Sequence, residues 1–232
     1  METANSCNEI YRILSDEILN LTIVPGTILN KHKLCDRFSV SRTPIQCVLQ
    51  RLQENSLVQI RPYKGTMVTL LDFDIINQVI YNRVALETMV LRDFTKTCNP
   101  LDIEQVRHAL NEMKLIGSGE NPDLFQFYKA DIFMHEIWFQ AMRKMYLWNF
   151  FEKTQVDYYR FKMLDILANN ICDVINEHEQ MLDIIETKEV DRLEELIKKH
   201  LYGGVRRLGQ SLFTKYKDYF VQHDYNGTEM SF

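Results

Sequence analysis

One short stretch of the chain has the pattern of a β-hairpin, and the residues around it have the periodicity of helices. Two apolar alternating runs, residues 57–60 and 67–70, flank the turn sequence P-Y-K-G-T at residues 62–66. After this hairpin, apolar residues recur at helical spacing up to about residue 220. The sequence therefore predicts a mainly α protein with a single small β element.

Three helices are predicted before the hairpin. The first is amphipathic and ends before the turn dipeptide Pro25-Gly26. Asn30 is placed to cap a second helix over residues 31–38, and Ser41 is placed to cap a third that has Pro44 in its first turn. Because only two residues separate the second and third helices, they match a helix-turn-helix, whose second helix presents its N-terminal residues to the major groove of DNA. A hairpin directly after such a unit is a wing.

The charges of the chain are distributed unevenly. Residues 1–65 contain 8 Lys/Arg and 6 Asp/Glu, whereas residues 66–232 contain 19 and 26. Residues 30–65 alone contain 7 basic and 2 acidic residues, although the net charge of the chain is −5. This local basic excess fits a compact DNA-binding module joined to a partner domain that does not bind DNA. A chance cluster of solvated charges is the alternative.

The composition argues against membrane and disulfide-rich classes. No stretch approaches the roughly 20 apolar residues that a membrane span needs, and residues 1–20 lack the pattern of a signal peptide, so we expect a cytoplasmic protein with no membrane partner. The five cysteines are scattered, and none forms a C-x-x-C pair, so neither a disulfide framework nor a thiolate zinc site is indicated. They are Cys7, Cys35, Cys47, Cys98 and Cys172.

The chain is predicted to divide into two domains and a tail. Residues 1–71 form the winged helix-turn-helix, with three helices and a hairpin, and residues 72–222 form an all-helical antiparallel bundle. A hinge is expected near residues 71–74, and residues 223–232 are expected to be a flexible tail. The helices of the bundle are predicted near residues 74–95, 101–115, 123–142, 146–167, 170–186 and 189–220.

Four segments of the N-terminal part, taken in order, resemble the GntR family of bacterial regulators. They are V-P-G-T-I-L at 24–29, F-S-V-S-R-T-P-I at 38–45, L-Q-R-L at 49–52 and K-G-T-M-V at 64–68. The resemblance implies that Arg42 and Thr43 contact DNA and that Gly65 permits close approach of the wing. An arginine at this position can bind a guanine edge bidentately. The candidate DNA-binding residues are His32, Lys33, Arg42, Thr43, Gln46, Arg51, Lys64 and Gly65.

The chain departs from the family pattern at two positions. Gln46 stands where the family usually has a second arginine, and Ser56 stands where it usually has glycine before the first wing strand. Glutamine reads adenine well. We therefore expect either an operator that differs from the common family half-site or weaker binding through the lost charge.

The C-terminal part resembles the helical, FCD-type ligand domain of the fatty-acid-regulator (FadR-like) subgroup. The matching steps are R-V-A-L-E at 83–87, D-I-F-M-H at 131–135, E-H at 177–178 and K-H-L at 199–201. With the N-terminal segments, the resemblance covers about residues 8–212. It implies a bundle that senses a small molecule.

The same steps predict a metal site. Asp131 and His135 are four residues apart, so they share one face of a helix and can bind one ion, and the resemblance adds His178 and His200 from separate helices. Three neutral imidazoles and a carboxylate suit a divalent transition metal such as zinc, nickel or manganese and leave a position open for a ligand carboxylate. Taken singly, each residue is more often structural, and some relatives bind ligand without metal, so a metal-free sensor is the alternative.

Arg83 is the candidate anchor for a small carboxylate effector, because a guanidinium can pair bidentately with a carboxylate. An intrahelical ion pair with Glu87 is an equal alternative. The working hypothesis is a homodimeric regulator, with repression favoured over activation, that binds a short inverted repeat in double-stranded DNA. A metal-dependent hydrolase is a weaker alternative, since the helix that begins at His135-Glu136 lacks the second histidine of metalloproteases.

Overall fold

The computed structural model describes residues 7–222, except for the side chains of residues 152–154, and it is mainly helical with one small sheet. The expected tail, residues 223–232, lies outside the described residues. No helix in the described range is long and apolar enough to cross a membrane.

The N-terminal part has the predicted winged helix-turn-helix. A strand that was not predicted, β1 (Ile28–Leu29), pairs antiparallel with β3 (Gly65–Val68) through Ile28 and Met67. With β2 (Val58–Arg61), the sheet order is β1-β3-β2. With two residues, β1 is too short to show an alternating pattern in the sequence. The elements are α1 (Cys7–Leu19), β1 (Ile28–Leu29), α2 (Lys31–Phe38), α3 (Arg42–Glu54), β2 (Val58–Arg61) and β3 (Gly65–Val68).

The two caps of the helix-turn-helix differ. The side chain of Asn30 accepts hydrogen bonds from the backbone N–H groups of His32 at 2.9 Å and Lys33 at 3.2 Å, as predicted. Ser41 is the N-cap residue of α3, as predicted, and has the extended backbone of that position, but its side chain makes no capping hydrogen bond. An N-cap side chain bonds to the second or third N–H of the helix, and the third residue of α3 is Pro44, which has none.

The C-terminal part is a helical bundle with more breaks than the periodicity predicts. The expected helix over residues 146–167 is divided at Gln155, whose backbone is not helical. The expected helix over residues 189–220 is also divided: its main helical part ends at Leu201 and is followed by short pieces, with Gly209 at a φ of 46°. The helices are α4 (Phe73–Thr97), α5 (Pro100–Gly117), α6 (Leu124–Ala141), α7 (Met145–Thr154), α8 (Val156–Ala168), α9 (Cys172–Thr187), α10 (Leu193–Leu201) and α11 (Gly203–Leu208).

The buried apolar side chains form two clusters. One lies among α1, α2, α3 and the sheet and includes Ile10, Leu49 and Val68. The other lies inside the helical bundle and includes Trp138 and Phe161. Each part therefore has its own hydrophobic core.

The connection between the two parts, residues 69–72, is fixed by hydrogen bonds. Arg160 of α8 donates to the backbone oxygen of Thr69 at 2.7 Å and to its Oγ1 at 3.0 Å. Asp157, also on α8, accepts from the backbone N–H of Asp72 at 3.1 Å. Leu71 pairs with the segment around Phe220 near the end of the described chain. The predicted hinge at 71–74 is thus tied to α8 and to the C-terminal segment.

Candidate DNA-binding surface and metal centre

The start of α3 and the start of α2 form one exposed surface, which we call the α2–α3 face. Its charged and polar side chains contact one another: Arg42 Nη2 lies 3.3 Å from His32 Nε2, and Lys31 Nζ donates to Gln46 Oε1 at 2.5 Å. The opposite side of α3 is buried in the core, which orients the face outward. The face is lined by Lys31, His32, Arg42, Thr43, Gln46, Cys47 and Gln50.

The wing adds a second exposed element. Gly65 has a φ of 96°, a conformation that favours glycine, and a Cβ there would meet only Ile28 at 3.9 Å. The need for glycine therefore comes from the backbone and not from lack of space. Tyr63 and Lys64 are exposed at the turn, and Tyr63 is a large side chain that the sequence analysis did not select.

Two of the candidate DNA-binding residues, Arg51 and Lys33, are not among the residues that line the α2–α3 face. Arg51 Nη1 donates to Asn8 Oδ1 at 2.8 Å, and its guanidinium lies 3.9 Å from the ring centroid of Tyr11, so Arg51 packs α3 against α1. Lys33 is exposed on α2. The α2–α3 face thus brings together His32, Arg42, Thr43 and Gln46 but not Arg51.

The four predicted metal ligands meet inside the bundle. Asp131 and His135 of α6, His178 of α9 and His200 of α10 are all buried, and one donor atom of each lies within 4.8 Å of those of the others. His135 Nε2 lies 3.2 Å from His178 Nε2, and His178 Nε2 lies 3.5 Å from Asp131 Oδ1. We call these four residues the metal cluster.

The outer nitrogen of each imidazole in the metal cluster has a hydrogen-bond acceptor. His135 Nδ1–H donates to Glu87 Oε2 at 2.6 Å, and His178 Nδ1–H donates to the backbone oxygen of Val174 at 2.8 Å. His200 Nδ1–H donates to Glu177 Oε2 at 2.9 Å. With the proton on Nδ1, each Nε2 presents a lone pair. Three lone pairs then face one another in a buried space, an arrangement that a cation stabilises.

The protonation of the metal cluster also suits a metal ion. Burial lowers the pKa of His178 to about 4 and holds the pKa of His200 well below its usual range, so both rings are neutral near pH 7. Burial by itself favours protonated Asp131, but the pKa of that carboxyl is lowered overall, and the positive charge of Lys162 is the largest cause of the lowering. Metal ligands must be neutral imidazoles and ionised carboxylates.

The spacing in the metal cluster fits a shared ion. Two ligand atoms about 2.0–2.1 Å from one metal, at tetrahedral or octahedral angles, lie about 2.8–3.4 Å apart. The 3.2 Å between the two Nε2 atoms falls in this range, and the 3.5 Å to Asp131 is just beyond it. Asp131 Oδ1 also has no hydrogen-bond partner among the described residues. The four residues form a group that can hold a metal ion.

Arg83 makes the intrahelical ion pair that the sequence left as one of two alternatives. Its Nε donates to Glu87 Oε1, and both side chains are buried. The same Glu87 accepts a hydrogen bond from His135. Burial by itself raises the pKa of Glu87, but the positive charge of Arg83 outweighs this effect and the pKa falls to about 2. The guanidinium also lies 4.8 Å from the ring centroid of Tyr158. Arg83 thus supports the metal cluster through Glu87, and its contact with an effector stays a prediction.

Three residues next to the metal cluster were missed by the sequence analysis as parts of the site. Glu87 and Glu177 orient two of the histidines, and Lys162 is a buried lysine of α8. Glu87 belongs to the R-V-A-L-E step and Glu177 precedes His178, so the sequence contained a signal for both. Lys162 lies in a helix whose side chains are buried on several sides, and nothing in its spacing marks it.

Comparisons with known proteins agree with the two-part architecture. A family model described as bacterial regulatory proteins, gntR family, matches residues 7–68, and one described as the FCD domain matches residues 78–203. The chain is 27% identical over 195 residues to the HTH-type transcriptional repressor RspR of Escherichia coli (strain K12), which covers 83% of this chain and 84% of that one.

A second relative and a solved structure extend the comparison. The galactonate operon transcriptional repressor of Escherichia coli (strain K12) is 26% identical over 230 residues, with 89% of this chain and 98% of that one covered. The structure of E. coli McbR/YncC aligns with a TM-score of 0.68 at 16% identity and covers 93% of this chain and 100% of that chain. At that identity the structural likeness concerns the fold alone.

Proposed function

The chain belongs to the GntR family of bacterial regulatory proteins and carries an FCD domain, and from this premise we propose that it is a homodimeric repressor whose operator affinity is set by a small organic acid bound at a metal centre. It is a ligand-responsive, DNA-binding transcription regulator. The family and the named relatives are transcription regulators and not enzymes, so the hydrolase alternative has no support.

The α2–α3 face carries the DNA-binding part of the proposal. Arg42 and Thr43 begin α3 and are exposed, and the packing of α3 directs them away from the core. Arg42 in this position can read a guanine edge in the major groove, and Gln46 one turn further can read adenine. Tyr63 and Lys64 of the wing contact the sugar-phosphate backbone in this proposal. Two copies in a symmetric dimer would read a short inverted repeat.

The metal cluster carries the sensing part of the proposal. Asp131, His135, His178 and His200 would hold a divalent transition metal, and such an ion supplies an open coordination position for a carboxylate oxygen of the effector. Glu87 and Glu177 hold two of the imidazoles in the orientation that binding requires. One relative is a repressor of an operon named for galactonate, a small hydroxylated acid, which agrees with an acidic effector.

Helix α8 is the proposed path between the effector site and the DNA-binding part. Tyr158 lies against Arg83 in the bundle interior, while Asp157 and Arg160 of the same helix bond to the connection at residues 69–72. An acid that shifts α8 therefore changes the hydrogen bonds that hold the connection. Useful control of operator affinity needs a coupling free energy of about 1–3 kcal/mol.

The DNA-binding part is tested by selection of random duplex DNA with the purified protein. We expect the bound sequences to share a short inverted repeat, and the protein to bind it as a dimer in native mass spectrometry. Recovery of sequences without a common motif, or a monomer bound to a single half-site, would contradict the proposal.

The metal part is tested by elemental analysis of the wild type and of the His178→Ala and His200→Ala variants. We expect about one transition-metal ion per chain in the wild type and a large loss in both variants. Equal metal content in all three proteins would exclude these histidines as ligands and favour the metal-free sensor.

A further inference from the structure

Lys162 is a buried ammonium group without a hydrogen-bond partner among the described residues. Its side chain is 1% exposed, and its Nζ contacts neither a carboxylate nor a carbonyl oxygen at hydrogen-bond distance in the described part of the chain. A buried charge of this kind is costly unless something pairs with it. The other buried cations of the bundle are paired: Arg83 with Glu87, and Arg160 with Asp157.

Two buried tyrosine hydroxyls in this part of the bundle also lack hydrogen-bond partners among the described residues. Tyr158 lies one helical turn before Lys162 on the same face of α8, and Tyr128 lies one turn before Asp131 on α6. Both phenol oxygens are buried and have no hydrogen-bond partner among the described residues. Helices α6 and α8 pack against each other, and Lys162, Tyr158 and Tyr128 each lie close enough to Asp131 of the metal cluster for an electrostatic interaction with its carboxylate.

The charges in this part of the bundle leave an excess of positive charge. A divalent ion bound by Asp131 and three neutral imidazoles keeps one positive charge that no ligand compensates. Lys162 adds a second, and Glu177 offsets at most one of the two. A ligand that enters the site is therefore required to be negatively charged and rich in acceptor oxygens.

We propose that Lys162, with the hydroxyls of Tyr158 and Tyr128, is a second anchor of the effector site and binds oxygen atoms remote from the carboxylate at the metal cluster. The effector is then an organic acid with two oxygen-bearing groups on a short carbon chain. The second group is either another carboxylate or a set of hydroxyls, since both offer acceptors to an ammonium. This inference rests on the proposed function, because it assumes that an acid binds at the metal cluster.

Three acids serve as probes with the metal-loaded full-length protein. L-malate has a second carboxylate, D-galactonate has a row of hydroxyls, and butyrate has one carboxylate and no other polar group. We expect malate or galactonate to raise the Tm of the wild type and to bind at least tenfold more tightly than butyrate in isothermal titration calorimetry. Which of the two binds identifies the second group.

The Lys162→Met variant tests the assignment itself. It is expected to keep the metal content and the helical circular dichroism of the wild type, to have an equal or higher Tm without acid, and to bind the preferred acid at least tenfold more weakly. Lys96→Met, at an exposed lysine of α4, is the matched control and should change none of these values.

The outcomes separate the two proposals. If neither malate nor galactonate raises the Tm of the wild type, the acid-sensing proposal fails and the assignment of Lys162 fails with it. If an acid binds the wild type and Lys162→Met equally well, or butyrate binds as tightly as the other two, only the assignment of Lys162 is overturned. Loss of metal from Lys162→Met would give this lysine a structural role and would also overturn it.

Discussion

Replacement of Glu87 by glutamine is expected to lower the Tm of the chelator-treated protein by about 6–20 °C. Glu87 is fully buried and pairs with Arg83, which is 4% exposed, so the variant leaves a guanidinium charge in the bundle interior without its counter-ion. Loss of one partner of a buried ion pair costs about 3–5 kcal/mol. In a chain of this size each kcal/mol corresponds to about 2–4 °C in Tm.

The double variant Arg83→Met/Glu87→Gln distinguishes the charge from the packing. Because it removes both charges, it is expected to recover most of the lost Tm, while Glu194→Gln at an exposed position should stay within about 1 °C of the wild type. The measurement is differential scanning calorimetry with circular dichroism as a check of helix content. A Glu87→Gln protein as stable as the wild type, or a double variant less stable than the single one, would refute the reasoning.

Three further predictions concern the metal, the connection and the cap. Removal of the metal by a chelator should lower the Tm. If the metal was present at 100 times its Kd, the free energy of unfolding should fall by about 2.7 kcal/mol; an unchanged Tm in scanning fluorimetry would argue against a bound ion. Arg160→Met should speed amide exchange at residues 69–72, measured by mass spectrometry, because Thr69 loses two hydrogen bonds; exchange equal to that of the wild type would show that α8 does not hold the connection. Ser41→Ala should cost less than about 0.5 kcal/mol in urea unfolding, below the ~1 kcal/mol usual for an N-cap, because the Ser41 side chain makes no capping hydrogen bond; a loss of 1 kcal/mol or more would contradict this.

The helix-turn-helix and the wing could be predicted because their signals are local. Asn30 bonds to the N–H groups two and three residues later, and Gly65 has the positive φ that the turn requires. Each of these features depends on a few adjacent residues. The bounds of α2 followed from the same local signals and agree with the structure.

The breaks in the bundle could not be predicted from periodicity. Val156, which follows the break at Gln155, packs against the core of the N-terminal part, while Tyr158 and Phe161 of the same helix are buried in the bundle. Apolar residues therefore continue through the break, and the pattern of one long helix is preserved. Tertiary contacts decide where the backbone turns.

The metal cluster could be predicted only in part. Asp131 and His135 share a helix face, which spacing reveals, but the approach of His178 and His200 depends on how α9 and α10 pack, and was expected only through the family resemblance. The role proposed for Lys162 rests on its lack of a hydrogen-bond partner among the described residues. No sequence pattern reveals such a lack. Ser41 was placed correctly at the N-cap, but its side-chain bond is absent, and the proline that marks the family motif removes one of the two N–H groups that such a bond could use.

The affinity of the Arg42→Ala variant for the DNA sequence selected by the wild type tests the central claim most directly. Fluorescence anisotropy at fixed salt would compare it with the wild type and with Lys129→Ala, an exposed lysine of α6. We predict a loss of at least about 1–3 kcal/mol, roughly 5- to 150-fold in Kd, for Arg42→Ala with unchanged circular dichroism, and no change for the control. Equal affinity of Arg42→Ala and wild type would contradict the account, because α3 would then not read the bases through its first residue.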